Sequence, residues 1–438
     1  MSEWGRYSIR QLVGAPLSGK RPAGGVNAET EGIPSLGGEN IRANGGMDYG
    51  TINRVPVDFF RSMPKGRLQA NDVLINKDGA QTGKVGLYDG RFEEAAVNEH
   101  VFILRSSSGA IDQRLLYYFL LLPDTQLRIA RRITGSAQPG LNSQFADAVH
   151  LTVPSERAEQ RWIAEILTTV DEAIEHTEAL IAKTQQIKAG LMHDLFTRGV
   201  TADGELRPPR EEAPQLYKES PLGWIPKEWD VATLNDLVSP ARPIVYGILM
   251  PGRGHPGGIP VIKVKDIVDG QVQGDDLLLT SPRIDAEYQR SKVRPRDVLL
   301  TIRGTVGRLA QVPMHLDGAN ITQDTARIAI AAGSPEFYRY YLETHAPRRH
   351  FAVNTLGQAV QGINLRDVRT TPVPIVSDDE QGKIAEMVVA VGNSERAERE
   401  HLAKLVQAKQ GLMQDLLSGR VPVTASAEPC VTEDAANV

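Results

Sequence analysis

Apolar residues recur in alternating steps of four and three at two places in the chain. One series runs Ile163, Leu167, Val170, Ile174 and Ile181, then Leu191 and Leu195. The other runs Ile384, Val388, Val391, Leu402, Leu412 and Leu416. Such spacing holds side chains on one face of an α-helix, and sustained heptads predict that the face is covered by another helix. The two series are one series written twice. Ile163-Ala164-Glu165 returns as Ile384-Ala385-Glu386, and Gly190-Leu191-Met192 as Gly411-Leu412-Met413. Gln160 maps to Gln381 by the same shift of 221 positions, with no gap over forty residues. One inserted residue would turn the face by about 100°, so an unbroken register points to a packed seam. The seam has polar interruptions, Thr177 and Thr184 in the first copy and Glu395 and Glu398 in the second. A short coiled coil of unequal quality is expected. Gly190 and Gly411 interrupt good helix at matched places, at a cost of about 1 kcal/mol each relative to alanine. Close helix approach, a partner contact and a tolerated helix end all account for them.

The repetition extends upstream. Trp4, Ile9 and Leu12 match Trp229, Leu234 and Leu237; Asp72-Val73-Leu74-Ile75 matches Asp297-Val298-Leu299-Leu300; Gly135, Gly140 and Asn142 match Gly357, Gly362 and Asn364. Small drifts in the shift place insertions in surface loops. Within each copy, β-branched runs such as Ile259–Val264 and Asp297–Thr301 read as strands, and Ile111–Leu122 and Pro335–Thr344 read as helices. The fold class is therefore α+β: two similar mixed α/β domains, each followed by a long helix, the two helices pairing as an antiparallel coiled coil. The expected boundaries are domain 1 at 1–155, helix 1 at 156–198, a proline-rich linker at 199–220, domain 2 at 221–376, helix 2 at 377–420 and a disordered tail at 421–438. Five prolines between 201 and 227 predict an extended, semi-rigid connection there.

Charge changes the picture. The net charge of −5 argues against nucleic acid until its distribution is considered. Residues 1–154 carry 17 Lys and Arg against 15 Asp and Glu, and residues 221–376 carry 18 against 15. The remainder is strongly acidic, with 14 against 24. Base lies on the globular parts and acid on the spacers, which permits nucleic-acid binding. The single cysteine, Cys430, rules out a disulfide framework and makes a reducing cytoplasm the expected location. No signal-peptide core and no run of eighteen apolar residues is present, so no membrane partner is expected.

Catalytic patterns fail on inspection. Gly14–Lys20 approaches a phosphate-binding loop, but Arg21-Pro22 replaces the hydroxyl residue and the helix that should follow. Gly252–Gly257 fits a dinucleotide glycine pattern by letter, with Pro256 against a following helix. The only Pro-Pro pair lies in the linker, no lysine has a carboxylate two residues before it, and no histidine pair has metal-ligand spacing. No catalytic residue and no metal ligand is expected. The chain reads as a binder.

Two loops in each copy suit nucleic acid. The first follows the Asp-Val-Leu strand: Lys77, Gln81 and Lys84 in copy one, Arg303, Thr305 and Arg308 in copy two, punctuated by glycines. Glycines let backbone N–H groups face a phosphate while the basic residues supply charge; an ordinary hairpin turn is the competing reading. The second is a basic stretch followed by a Gly/Gln/Asn loop: Arg131, Arg132, Gln138 and Asn142, then Arg348, Arg349, Gln361 and Asn364. Gln and Asn offer donor and acceptor together to an adenine edge, and Arg does so to guanine, although the amides could equally pin their own loop. Lys263 and Lys265, by the end of the Ile259–Val264 strand, complete the DNA-binding candidates.

The module openings Trp4–Leu12 and Ser220–Pro226, the Asp-Val-Leu strand with its Gly/basic loop, the Glu-Gln helix starts shortly after Pro154 and Pro374, and the paired GLM-x-DL helix ends together resemble the specificity subunits of type I restriction–modification systems. The resemblance covers about Trp4 to Val421. It implies two target-recognition domains, each reading one half of an asymmetric split site in double-stranded DNA. It also implies partners: two DNA methyltransferase subunits, and restriction subunits that carry the translocase and nuclease. S-adenosylmethionine, ATP and Mg would then belong to those partners, and this chain would bind no cofactor. Two other classes compete, a stand-alone bipartite DNA-binding protein and a coiled-coil scaffold without DNA function.

Overall fold

The computed structural model describes residues 3–22, 25, 31–106, 108–135, 139–274, 276–357 and 361–421. The chain divides into two compact units, Met1–Ala179 with Glu400–Val438, and Leu180–Arg399. The tail expected to be disordered lies, from residue 422 onward, outside the described residues.

The two predicted long helices are present: α1 spans Arg157–Arg198 and α2 spans Asp378–Leu416. Each contributes to both units. In unit 1, Ile163, Ala164 and Leu167 of α1 share a core with Met413 and Leu416 of α2. In unit 2, Leu195 and Phe196 of α1 share a core with Ile384, Ala385 and Val388 of α2. The start of α1 therefore meets the end of α2, and the end of α1 meets the start of α2, which is antiparallel pairing. The polar interruptions prove to be seam positions. Thr177 and Thr184 are buried. Thr184 Oγ1 lies 3.2 Å from Glu398 Oε1, and Glu395 accepts from Gln185 Nε2 at 3.0 Å and Lys188 Nζ at 3.1 Å. Gly190 and Gly411 are exposed, and a Cβ added to either would meet nothing within 4 Å. Close helix approach is thereby excluded as their reason among the described residues.

The globular part of unit 1 is built on a four-stranded sheet in the order Leu17–Ser18, Val101–Leu104, Val73–Asn76, Val85–Leu87. Its inner strands are buried on both faces, which is why they read as continuous apolar runs. Ile9, Leu12 and the apolar face of helix Gln113–Leu121 pack on this sheet, as the Ile111–Leu122 periodicity predicts. Unit 2 repeats the plan around a six-stranded sheet whose centre is Thr325–Ile328, Val298–Thr301 and Leu309–Gln311. Helix Pro335–Tyr341 takes the place of Gln113–Leu121. In both units a two-stranded antiparallel ribbon leads into the long helix: Trp4–Ser8 with His150–Pro154, and Asp230–Thr233 with Pro372–Ile375.

The same glutamine device starts both long helices. Gln160 accepts from the Asp112 N–H and donates to Pro154 O; Gln381 accepts from the Ser334 N–H and donates to Val376 O. The proline-rich stretch after α1 is more folded than an extended connection. Val200 and Leu206 form an isolated bridge, and Tyr217–Ser220 pairs with Gly223–Pro226 as a hairpin. Tyr217 donates its hydroxyl to Pro208 O at 2.6 Å.

Candidate nucleic-acid interface

In each unit the central hairpin of the main sheet ends in the glycine-punctuated loop. In unit 1 Val73–Asn76 pairs with Val85–Leu87 across residues 77–84. In unit 2 Val298–Thr301 pairs with Leu309–Gln311 across residues 302–308. Gly79 and Gly304 sit at φ 82° and 73°, a conformation in which any other L-residue is strained. A Cβ would find open space at both. The glycines are required by the turn and not by crowding.

The structure brings the two loops of each unit into one surface. In unit 1 the Gly79 N–H donates to Pro139 O at 3.0 Å and the Leu141 N–H to Lys77 O at 2.7 Å. In unit 2 the Gly304 N–H donates to Gln361 O and the Ile363 N–H to Ile302 O, each at 2.9 Å. Asp78 bridges Gly140, and Arg303 bridges Gly362. Loops about sixty residues apart in sequence are thus clipped together by the same pair of backbone bonds in both copies.

The side chains on this surface divide into free and committed groups. Gln81, Arg131, Arg132 and Asn142 are exposed in unit 1; Arg303, Thr305, Arg308, Arg348, Arg349, Gln361 and Asn364 are exposed in unit 2. Lys84 is half-buried and holds the loop, donating to Ile41 O at 2.7 Å and Gln81 Oε1 at 2.8 Å. Lys77 is half-buried with its ammonium 5.0 Å from the Phe102 ring centroid. Asn142 Oδ1 accepts from the Gln144 N–H, so that amide also shapes its own turn. Arg303 donates to Gln323 Oε1 and Arg308 to Ile267 O, both at 3.3 Å. Arg131 and Arg132 follow helix Pro123–Ala130, whereas Arg348 and Arg349 stand early in helix His345–Asn354. Gln138 lies outside the described residues. Lys263 and Lys265 are not brought to the loops; they line a separate cleft of about 500 Å³ with Arg253, His255 and Asp276.

Sequence reasoning missed three features. His100 Nδ1 lies 3.1 Å from Asp78 Oδ2, beside the first loop of unit 1. In unit 2 the exposed Leu356 leads into the second loop and offers an apolar contact of the kind a thymine methyl takes. A broad groove of about 1600 Å³ in unit 2 is lined by Arg308, Arg348 and Gln361 together with Lys188, Arg396 and Arg399 of the helices. None of these has a sequence signature, because each depends on which strands become neighbours. Among the described residues, no group of three or more His, Cys, Asp or Glu side chains is placed to hold a metal ion. No described helix is long and apolar enough to cross a membrane.

Comparison with known proteins agrees with this architecture. Residues 1–186 match the family described as Type I restriction modification DNA specificity domain. The chain is 28% identical over 367 residues to the type I restriction enzyme EcoBI specificity subunit of Escherichia coli, spanning 82% of this protein and 75% of that one. It is 21% identical over 416 residues to the MjaVIII specificity subunit of Methanocaldococcus jannaschii, spanning 93% and 90%. In fold it resembles the crystal structure of a type I S subunit from M. genitalium, with a TM-score of 0.56 and 18% identity over 97% of both proteins. A second structure, from work on assembly and conformational transition of the type I R-M system, aligns with a TM-score of 0.51 and 15% identity over 95% of this protein and 98% of that one. With its doubled α+β domain, doubled long helix and doubled loop pair, the protein is similar in sequence and in fold to type I restriction–modification specificity subunits, and its residues 1–186 match the specificity-domain family.

Proposed function

We propose that this protein is the non-catalytic DNA-reading subunit of a type I complex, with each unit reading one half of an asymmetric, interrupted site in double-stranded DNA. The observation that carries this reading is the recurrence of one backbone-clipped loop pair in both units with different side chains on it. Gln81, Arg131, Arg132 and Asn142 stand on this surface in unit 1 and Arg303, Arg348, Gln361 and Asn364 in unit 2; at matched backbone positions Arg303 replaces Asp78 and Gln361 replaces Pro139, so a common scaffold presents two different sets of donors and acceptors. Unequal half-sites follow. Exposed arginines supply sequence-independent attraction to phosphate, while the amides and Thr305 address base edges. Lys77 and Lys84 act mainly by holding the loop, and Lys263 and Lys265 contact the DNA backbone at a separate place.

The protein's own residues bind and orient; transfer and cleavage belong to partners. We assign two methyltransferase subunits and the restriction/translocase subunits as those partners, with S-adenosylmethionine, ATP and Mg held by them, in the cytoplasm. The test is methylation-sensitive sequencing of DNA from host cells with and without the gene. A split motif of fixed gap, methylated only when the gene is present, is the expected result. Exchanging residues 302–308 and 355–364 for those of another specificity subunit should change one half of the motif and leave the other. A change in both halves would refute the division of labour between units.

A further inference from the structure

The edge strand Val245–Tyr246 of the unit 2 sheet runs into a short segment that is fixed at both ends and apolar in the middle. Gly247 passes so close to the adjacent chain that a Cβ there would collide with Ile321 O. Ile248 is buried and bridges Thr322; its N–H donates to Ile321 O at 2.7 Å and its carbonyl accepts from the Gln323 N–H at 2.9 Å. Further on, Pro251 O accepts from Thr280 Oγ1 at 2.9 Å, and the His255 N–H donates to Leu279 O at 2.9 Å. Between these anchors Leu249 is 54% exposed and Met250 78%. Two long apolar side chains held in water by an anchored backbone contribute little to folding, and such exposed apolar groups mark contact sites. The anchoring means that little backbone freedom is lost when the other surface arrives.

The neighbours of the tip identify that surface. Gln323, held by Ile248, accepts from Arg303 Nη1 at 3.3 Å, which places the segment beside the first recognition loop. In the other direction the chain continues into Arg253 and His255, which line the basic cleft with Lys263 and Lys265. The tip therefore joins the two places in unit 2 that suit DNA. Unit 1 supports the same occupant. There Gly19 follows the edge strand Leu17–Ser18, a Cβ on it would collide with Val97 O, and the exposed residues that come next are Lys20 and Arg21. One corner of a repeated scaffold carries cations in one copy and apolar groups in the other. Cations suit the phosphates of a duplex, and the apolar group that a duplex displays in its major groove is the C5-methyl of thymine.

We propose that Leu249 and Met250 enter the major groove next to Arg303 and cover the C5-methyl of thymine, making that base part of the half-site read by unit 2. The inference rests on the function proposed above and adds to it one base and the side chains that select it.

The test starts from the motif found by methylation-sensitive sequencing, with its unit 2 half identified by the loop exchange. Each thymine of that half, on either strand, is replaced in turn by uracil, which removes the methyl group and keeps the hydrogen-bonding edges. Affinity for these duplexes is measured by fluorescence anisotropy on the methyltransferase-bound, full-length protein, as wild type and as Leu249→Ser/Met250→Ser. The wild type should bind at least one uracil duplex about fourfold more weakly, the effect of one buried methyl group, and the double variant should bind the thymine and uracil forms alike. The melting temperature of the free variant should equal that of the wild type, because both side chains are exposed; a lower one would show that they pack within the chain and would overturn the inference. A unit 2 half-site without thymine, or wild-type indifference to uracil at every position, would overturn it as well. So would a variant that loses affinity yet keeps its sensitivity to uracil, or one that no longer binds the methyltransferase, since the tip would then serve another contact. Failure of the wild-type complex to bind any split motif would instead overturn the proposed function itself.

Discussion

The arginines beside the second loop allow the sharpest quantitative test. Arg348 and Arg349 are exposed, and neither forms an ion pair among the described residues; Arg128, by contrast, is already engaged by Asp124. Both guanidinium groups are therefore available to phosphate. Each phosphate neutralised contributes about −0.9 to the slope of log K against log salt on duplex DNA. Replacing both residues by alanine should reduce the magnitude of that slope by about 1.8, so the loss of affinity between 50 and 200 mM salt shrinks by about tenfold. Gln361→Ala or Asn364→Ala should instead leave the slope unchanged and relax the preference at single base pairs by about 1–3 kcal/mol. Fluorescence anisotropy of the methyltransferase-bound protein on its motif, repeated over a salt series and on single-base variants, separates the two classes. An unchanged slope in the double arginine variant, with affinity lost, would show that these residues act on bases or on the fold and would refute the assignment.

Other outcomes follow from the same structure. Gly304→Val adds a β-branched side chain at φ 73° in open space, so its cost is backbone strain of about 1–2 kcal/mol, measurable by urea unfolding. Gly190→Ala and Gly411→Ala should each stabilise the protein by about 1 kcal/mol, because a Cβ meets nothing at either site; destabilisation in thermal unfolding would refute that reading. Burial pushes the Glu395 carboxyl up, but hydrogen bonds from Gln185, Lys188 and Arg399 outweigh it and hold the group below its ordinary value. A lowered folded-state value means stability that is present above the unfolded value of about 4.5 and is lost as pH falls through the folded one. Helicity followed by circular dichroism should thus fall in that acid range in the wild type, and Glu395→Gln should flatten this part of the profile.

Much of the architecture was legible because the repeat carries it. The fixed shift between Gln160 and Gln381 marks two helices of one design, and both occur with the predicted antiparallel pairing. The apolar run Asp297–Thr301 and the helix at Pro335 were readable for the ordinary reason that burial sets their periodicity. Polar seam positions were not readable. Thr184, Glu395 and Glu398 look like defects in a heptad pattern, and only the facing helix shows what they meet. The fold of the proline-rich stretch was hidden for a similar reason, since Arg207 is ordered by Glu380, far away in sequence. At the loops, residue types indicated the surface but not its internal economy: Lys84 looks like a DNA contact and is tied to Ile41 and Gln81.

The clip between the loops has a consequence for how such a protein changes over generations. The bonds common to both units run from a backbone amide to a backbone carbonyl, with Gly79, Leu141, Gly304 and Ile363 as the donors, and unit 1 adds the Thr82 hydroxyl donating to Pro139 O at 3.2 Å. Every residue except proline can donate such a bond, and every residue can accept one. The glycine positions and the two buried anchors, Leu141 and Ile363, are fixed by geometry and packing; the exposed residues between them are not. Substitutions at Gln81, Thr305 or Gln361 can therefore accumulate without loosening the joint. Recognition can drift to new DNA words while the grammar that displays them stays constant, and each unit can drift independently of its twin.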